Sequence, residues 1–297
     1  MNTYKNIGIA VDNTNIDNTI FMACKAMNNL IFSIDQLHIV TARNLNPIEF
    51  QYITDHTIYA ELEEKFDMAL VDAIKEKALS ILGSEFEDKI NIHVLTGSPV
   101  EETINFLEKE KVDVFVVGKK KKKRGSGRFT KELLRRTDLP VLMIPEAFKA
   151  SWELNKILVP YDFSDHSDKA LLKAMEVKAA SNTIQQIECY HLLDSPVFDS
   201  EMLISTHKIV QMMENGRKEA YTEKMKALKI TDAPDLVIQT SINNYSALEI
   251  IKRARRNKFG MIIMGAKGHS AFERFFLGSV TEKVISKDAK LPLLIVN

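Results

Sequence analysis

Three glycines and a serine near the carboxyl end have the spacing that best fits a chemical role in this 297-residue chain. Gly265 and Gly268 follow the apolar run "MIIM", and Gly278 and Ser279 come after nine intervening residues, at the start of the helical stretch "SVTEKVISK". Glycine lets a ligand approach the backbone closely and permits a positive φ. The free N–H groups and the dipole of a helix start attract anions. The spacing therefore predicts a phosphate site; alternatively, the glycines only form turns and Ser279 only caps the helix.

The two halves of the chain have similar sequences. "KNIGIAVDNT" aligns with "NKILVPYDFS", which pairs Asp12 with Asp162, and "GRFTKELLRRTDLPVLMIP" aligns with "GSVTEKVISKDAKLPLLIV" after the insertion of one residue. A repeat of this length is far longer than the repeats of solenoid proteins. We therefore predict a tandem duplication, with one domain at residues 1–148 and the other at residues 152–297.

Each half alternates short β-branched runs with longer segments of helical period, which is typical of parallel strands joined by crossover helices. The predicted strands are residues 6–11, 36–41, 89–95, 112–117 and 141–144 in the first half and 156–161, 186–191, 235–239, 261–264 and 293–296 in the second. Right-handed crossovers then predict two doubly wound α/β domains, each with an open five-stranded parallel sheet in the Rossmann-like order 3-2-1-4-5. Ligands of such sheets bind beyond the carboxyl ends of the strands.

One segment between the strands has the pattern of a helix that packs on a sheet. Leu62, Phe66, Leu70 and Ile74 recur at helical spacing, with charged residues on the other face. We expect these four side chains to be covered by the sheet.

The composition favours a protein without a nucleic-acid or membrane partner. Its 40 basic and 40 acidic residues give a formal net charge of +0, and no apolar run approaches the roughly 18 residues that span a bilayer. Cys24 and Cys189 match no metal-ligand spacing, and we interpret both as buried residues in a reducing compartment. The first residues lack the pattern of a secretory signal. Together these features predict a cytoplasmic protein.

The complete motif G-x2-G-x9-G-S, with "VPYDFS" at the start of the same half, resembles the nucleotide-binding signature of the universal stress protein (UspA-like) family. The resemblance covers both halves and implies tandem α/β domains that bind an adenine nucleotide, with ATP as the ligand. It implies that ATP is held by Pro160, Asp162, Leu192, Gly265, Gly268, Gly278, Ser279 and Val280. It leaves open whether Mg²⁺ accompanies the nucleotide.

Two of these residues have other roles open to them. Asp162 can accept hydrogen bonds from ribose hydroxyls or from the adenine amino group, or it can cap the helix that begins near Asp165. Leu192 follows the second strand of its half, where the family supplies an apolar contact to the base. An ordinary core residue at a strand end is the alternative for Leu192.

The first half departs from the motif. Its loop "GKKKKKRGSGRFT" is shorter from Gly118 to Gly127 than the matching loop of the second half, and it contains a further glycine, Gly125. Arg128 stands where the second half has its serine, and Ala10 stands where it has its proline. We therefore expect two unequal sites, with the first one weak, altered or empty.

The basic run from Lys119 to Arg124 lies beside this first site. Six consecutive cations can clamp a polyanionic small molecule, although a solvated loop whose charges repel one another is the usual outcome. No aromatic residue interrupts the run, so stacking on single-stranded nucleic acid is not indicated.

Three functions fit these observations. The first is a stress-response regulator whose ATP occupancy changes its stability or its choice of partner. The second is an enzyme that hydrolyses ATP slowly; dedicated catalysis is not indicated and no catalytic residue is assigned, because the sequence has no P-loop GxxxxGK(S/T) and no pair of acids near the glycines. The third is a scaffold that binds partners without nucleotide.

The family resemblance also implies an assembly. Its members usually pair through the last strand, which corresponds here to "VLMI" and "LLIV". Such strands lie at sheet edges, where unpaired backbone groups invite a partner. We expect the two domains to form an intramolecular pseudo-dimer in this way, with homodimer formation as a further possibility.

Overall fold

A computed structural model of the chain describes residues 4–42, 56–120, 127–194, 203–241, 246–268, 276–287 and 289–297. The chain divides into two compact units, residues 2–151 and residues 152–297. Strands and helices alternate along each unit, and each unit has a parallel sheet.

The first unit contains five strands among its described residues: β1 (Tyr4–Val11), β2 (Phe32–Ala42), β3 (Ile90–Leu95), β4 (Val114–Lys119) and β5 (Val141–Pro145). Its helices are α1 (Asn15–Met27), α2 (His56–Leu82), α3 (Pro99–Lys109) and α4 (Arg128–Arg136), with a 3-10 helix at Ser84–Lys89. The strand order is β3-β2-β1-β4-β5, and all neighbouring strands are parallel.

The second unit repeats this plan. Its strands are β6 (Lys156–Pro160), β7 (Gln186–Asp194), β8 (Asp235–Ser241), β9 (Met261–Gly265) and β10 (Leu293–Val296), and its helices are α5 (Asp165–Ala180), α6 (Leu203–Ala227), α7 (Ser246–Arg256) and α8 (Ser279–Ser286). The order is β8-β7-β6-β9-β10, again parallel throughout. The predicted fold class, doubly wound α/β in the order 3-2-1-4-5, is confirmed for both units. Each predicted strand is present, with ends that differ by a few residues.

The central strands are buried, which explains their continuous apolar sequences. Ile7 and Ile9 of β1 have no exposed surface, and every residue of β9 is buried. Helices that cover both faces of a parallel sheet remove the alternation of apolar and polar residues that half-exposed strands show.

The strand order creates a crevice at the carboxyl ends of two central strands in each sheet. In the first unit β1 and β4 are parallel neighbours, and the chain leaves them for β2 and β5, which lie on opposite sides. The connections therefore diverge at the carboxyl ends of β1 and β4, where doubly wound folds bind their ligands. In the second unit β6 and β9 form the same switch point.

The expectation that four apolar residues of α2 pack on the sheet is wrong for two of them. Leu62 and Phe66 are 50% and 54% exposed, whereas Ile74 is 1% exposed. The helix has 27 residues and is therefore about 40 Å long, which exceeds the length of the strands beside it. Its carboxyl-terminal part contacts α1, where Lys25 Nζ donates to the carbonyl oxygen of Ile81 at 2.9 Å. The segment around Leu62 and Phe66 is consequently a part of the helix whose apolar side chains stay open to solvent.

Two expectations from composition can be compared with the structure. Cys24 and Cys189 are buried free thiols, as predicted, and burial raises the pKa of each to about 12. Among the described residues, no helix is long and apolar enough to cross a membrane.

Candidate functional site

A cavity of about 310 Å³ lies at the switch point of the second unit. The eight residues selected from the sequence all line it: Pro160, Asp162, Leu192, Gly265, Gly268, Gly278, Ser279 and Val280. The other lining residues were not predicted from the sequence; they are Tyr161, Ser167, Tyr190, His191, Ser246, Ile250, Met264, Lys267 and Thr281. The carboxyl ends of β6, β7 and β9 and the starts of α7 and α8 therefore form one site.

Asp162 supports the start of α5 without being its cap. Its Oδ1 atom accepts from the amide of Ser164 at 3.1 Å and from the Ser164 hydroxyl at 2.5 Å. Ser164 is the N-cap, because its own Oγ accepts from the amide of Ser167 at 3.2 Å. Between them, Phe163 has a φ of 67°, a conformation that is rare for an aromatic residue. The backbone at this point is thus bent so that the Asp162 carboxylate lines the cavity.

Gly268 leaves room for the carboxylate of Asp162. A Cβ atom at Gly268 would lie 2.7 Å from Asp162 Oδ2, which is shorter than any normal contact. A positive φ was one expected reason for glycine at positions 265 and 268, but neither residue adopts it. Close approach to the Asp162 carboxylate, and not a positive φ, is therefore what favours glycine at position 268.

Gly265 permits a close approach of a helix to a strand. A Cβ atom there would lie 2.8 Å from the backbone carbon and oxygen of His166, in the first turn of α5. The carbonyl oxygen of Gly265 accepts from the buried hydroxyl of Thr281 at 2.9 Å, which ties β9 to α8. In this structure Gly265 thus sets the position of two helices around the cavity.

The start of α8 presents unpaired amides to the cavity. Gly278 is the N-cap of α8, so Ser279 does not cap the helix and is its first residue. The amide of Gly278 donates to the carbonyl oxygen of Ala266 at 2.8 Å. Within the described residues, nothing accepts from the amides of Ser279 and Val280, as expected for the first turn of a helix. Ser279 and Val280 both line the cavity, so the positive end of the helix dipole lies at its wall.

A hydrogen-bonded network holds the opposite wall in place. The Tyr190 hydroxyl donates to Gln239 Oε1 at 2.8 Å, and Gln239 Nε2 donates to Glu249 Oε2 at 3.3 Å. Burial raises the pKa of Tyr190 to about 12, so this hydroxyl keeps its proton. The guanidinium of Arg253 lies 5.7 Å from the centre of the Tyr190 ring and forms a bidentate pair with Glu188. Tyr190 is therefore a fixed wall of the site.

The first unit has a cavity of about 320 Å³ at its own switch point. Asp12 lies there, at the position that corresponds to Asp162, and its Oδ2 atom is bonded to the ammonium of Lys120. Its Oδ1 atom accepts from the Thr14 hydroxyl at 2.5 Å. Partial burial opposes ionisation of Asp12, but the bonds from Lys120 and Thr14 outweigh it and lower the pKa of this carboxyl. The carboxylate of the first unit is thus already neutralised by a protein cation.

The glycine before the last helix also differs between the units. Gly127 precedes α4 with a φ of 93°, in the left-handed region, whereas Gly278 has a φ of −58°. The backbone therefore enters the two helices in different conformations. Gly125 and residues 121–124 of the basic run lie outside the described residues.

The universal stress protein family model matches this chain twice, at residues 3–145 and at residues 153–297. This chain belongs to the universal stress protein family. Two archaeal relatives are similar to half of it. Universal stress protein MJ0531 of Methanocaldococcus jannaschii is 31% identical over 143 residues, which are 48% of this chain and 81% of that protein. MJ0577 of the same organism is 32% identical over 156 residues, which are 48% of this chain and 93% of that protein.

Solved structures of universal stress proteins share the fold along the whole chain. One from Archaeoglobus fulgidus has a TM-score of 0.63 at 15% identity and covers 99% of this chain and 97% of its own. A putative universal stress protein from Pseudomonas aeruginosa has a TM-score of 0.60 at 15% identity and covers 99% and 93%. The predicted resemblance to a tandem universal stress protein is therefore confirmed.

Some lining residues of this universal stress protein could have been found from the sequence. Tyr190 precedes Leu192 by two positions on β7, so the two side chains lie on the same face of the strand. Lys267 lies between two glycines of the motif. Ser246 and Ile250 gave no such signal, because α7 carries no motif and reaches the cavity only through the fold.

Proposed function

We propose that the second unit of this universal stress protein binds ATP and that nucleotide occupancy regulates a stress response. The observation that carries the proposal is that Asp162 and the first two residues of α8, Ser279 and Val280, line one cavity. An acceptor for hydroxyl groups and a cluster of donors for phosphate oxygens are the two features that a nucleoside phosphate requires.

The residues around the cavity suggest an orientation for the nucleotide. The start of α8 and the neighbouring Lys267 would bind the phosphates, because both are electropositive. Asp162 Oδ2 would accept from the ribose hydroxyls, since Oδ1 is occupied by Ser164. Leu192 and the buried Ile250 would contact the base, as apolar walls with a few polar groups commonly do in small-molecule sites.

A substitution at the start of α8 tests this proposal without disturbing the fold. In Ser279→Asp a carboxylate would stand where phosphate is expected, yet an acidic residue in the first turn favours the helix. We expect wild-type protein to bind ATP in isothermal titration calorimetry and the variant to bind at least about tenfold more weakly, a loss of about 1.4 kcal/mol. Ser84→Asp makes the same chemical change at an exposed position of the first unit and should bind ATP like wild type. Equal binding by all three proteins would contradict the proposal.

Regulation by ATP does not require hydrolysis. A ligand shifts a protein between two states whenever its affinity for them differs. Slow hydrolysis remains the second candidate, and timed conversion of bound ATP to ADP separates the two. Product formation that Ser279→Asp abolishes would favour the enzyme, whereas ATP recovered intact after hours would favour the regulator.

Within the described residues, there is no cluster of three or more His, Cys, Asp or Glu side chains that could hold a metal ion.

We further propose that the fifth strands β5 and β10 pair with one another and that the protein works in the cytoplasm, where its free thiols stay reduced. Edge strands attract partners, and these are the last strands in the order of each unit. Hydrogen exchange of the full chain tests the pairing. Amides of both strands should exchange as slowly as those of β1, and fast exchange along either strand would contradict it.

A further inference from the structure

The cavity of the first unit has the size of a ligand site but a different chemistry. At about 320 Å³ it is as large as the cavity of the second unit. Its walls are mostly apolar and include the buried side chains of Ile16, Ile20, Val40 and Val117, with Phe129 from the first turn of α4. This cavity is distinct from the proposed nucleotide site.

Four of the polar side chains that line the first cavity already have protein partners. Asp12 and Lys120 are bonded to each other. The buried carboxylate of Asp17 accepts from the amides of Asp12 and Thr14 at 3.3 and 3.1 Å. The hydroxyl of Thr103 donates to the carbonyl oxygen of Pro99 at 2.6 Å. A charged ligand would have to break the bonds of the buried Asp17 and Thr103 side chains or enter unpaired, and both are unfavourable. The pair of Asp12 and Lys120 is more exposed and adds a smaller barrier.

Matched positions of β2 and β7 show how the linings of the two cavities differ. Ala10 pairs with Val40 in the register of β1 and β2, and Pro160 pairs with Tyr190 in the register of β6 and β7. Val40 therefore occupies the place of Tyr190 and removes its hydroxyl. Two residues further along, Ala42 occupies the place of Leu192 and widens the cavity.

The helix starts also line the first cavity with more apolar residues than the second cavity has. Pro99 begins α3 where Ser246 begins the matching helix α7, which replaces a hydroxyl and an amide donor with a ring. Phe129 follows Arg128 in α4, where Val280 follows Ser279 in α8. The exception is Thr103, whose hydroxyl is bonded within its own helix.

We propose that the first cavity binds a neutral, predominantly apolar small molecule. Burial of apolar surface supplies the affinity, at about 25 cal/mol per Å² removed from water. The Asp12 and Lys120 pair and the Asp17 carboxylate stay bonded to the protein, so these charged side chains need no charged ligand. This assignment does not depend on whether the second unit binds ATP.

The uncharged fluorescent probe N-phenyl-1-naphthylamine tests the proposal on the full chain. We expect saturable binding of one probe molecule per wild-type chain. Ala42→Phe should fill the cavity and weaken binding at least about tenfold. Leu192→Phe changes the matched position in the second unit and should leave the affinity for the probe unchanged.

A second variant keeps the test valid if Ala42→Phe does not fold. Phe129→Asp places a carboxylate in the cavity and in the first turn of α4, where the helix dipole favours it. It should weaken binding of the probe by a similar factor, while circular dichroism shows an intact fold. The proposal is overturned if wild type shows no saturable binding, if neither variant weakens it, or if ATP displaces the probe one for one.

Discussion

Asp162 and Gly268 approach each other so closely that a side chain at position 268 would displace the Asp162 carboxylate. The Oδ2 atom of Asp162 lies 2.7 Å from the point where a Cβ atom of residue 268 would be, and its Oδ1 atom is held by Ser164. Gly268 of the glycine motif and Asp162 after β6 are far apart in sequence, yet together they determine where the Asp162 carboxylate lies. The orientation of this carboxylate therefore depends on the absence of a side chain on the opposite loop.

Gly268→Ala should weaken ATP binding without unfolding the protein. The added methyl group meets only the far end of the Asp162 side chain, which can rotate away. We expect a loss of affinity of at least about tenfold in calorimetry, because the displaced carboxylate no longer meets the ribose. Gly216→Ala is the matched control: a Cβ atom at Gly216 meets nothing within 4 Å, and the change should raise stability by about 0.5–1 kcal/mol. Unaltered ATP affinity in Gly268→Ala would count against the role of Asp162.

Gly265→Ala should destabilise the protein more than Gly118→Ala. The new Cβ atom at 265 meets the backbone of His166, whereas the one at 118 meets the ends of the Ile16 and Ile20 side chains. Backbone cannot rotate away, so we expect a loss of about 1–3 kcal/mol for Gly265→Ala and a smaller loss for Gly118→Ala. Urea unfolding of both variants measures the difference. If Gly118→Ala lost more stability than Gly265→Ala, the close packing of α5 on β9 would not be the stronger constraint on side-chain size.

The ion pair between Glu188 and Arg253 should be important for the stability of the second unit. Arg253 donates to both carboxylate oxygens at 2.9 and 2.8 Å, and the Glu188 side chain is only 5% exposed. Arg253→Met leaves a buried unpaired carboxylate, and we expect a loss of about 3 kcal/mol in urea unfolding. The double variant Glu188→Leu with Arg253→Met should recover much of it.

An exposed pair provides the control for that experiment. Lys5 and Asp35 are 3.2 Å apart and each is 59% exposed. Lys5→Met should therefore change the stability by less than about 1 kcal/mol. If Lys5→Met and Arg253→Met lowered the free energy of unfolding equally, the distinction between buried and exposed ion pairs would be contradicted.

The first unit should lose stability as the pH falls below about 6.5. His38 Nδ1 and His93 Nε2 are 3.1 Å apart on neighbouring strands, packed against Phe106, with Glu110 and Lys109 as the charged groups nearby. Burial is the main cause that lowers the pKa of both rings in the fold. Below the ordinary histidine pKa, the two histidines therefore bind more protons in the unfolded chain than in the folded one. Stability is lost as the pH falls from that value toward the lower pKa values of the folded protein.

Unfolding at a series of pH values tests this linkage. The free energy of unfolding of wild type should fall between pH 7 and pH 5, and His93→Gln should show a shallower fall. His166 of the second unit also has a lowered pKa, chiefly through burial, so the difference between the two proteins is the informative quantity. Parallel curves for wild type and variant would contradict the assignment to the histidine pair.

Much of the fold and part of the site could be predicted from the sequence. The buried strands follow from runs such as "GMIIM", because strands covered on both faces need apolar residues at every position. The glycine motif was selected by its spacing between a strand and a helix, and Asp162 was selected by the family resemblance. Both lie at carboxyl ends of strands, which the topology brings together at one cavity.

Other features depended on three-dimensional packing. Leu62 and Phe66 fit the pattern of a buried face, but periodicity does not say how far the sheet extends along a helix. The pairing of Lys120 with Asp12 and the bond from Gly278 to Ala266 join residues with no sequence relationship. Periodicity and motif spacing carry no information about such individual partners.

Amide chemical shifts of the full chain during an ATP titration test the central claim most directly. If the start of α8 binds the phosphates, the amide resonances of Ser279 and Val280 should move furthest, and those of the matching residues Arg128 and Phe129 in α4 should stay in place. The same titration with Ser279→Asp should give no such movement at equal ATP concentration. Shifts that spare α8, or that are as large in α4, would contradict the account.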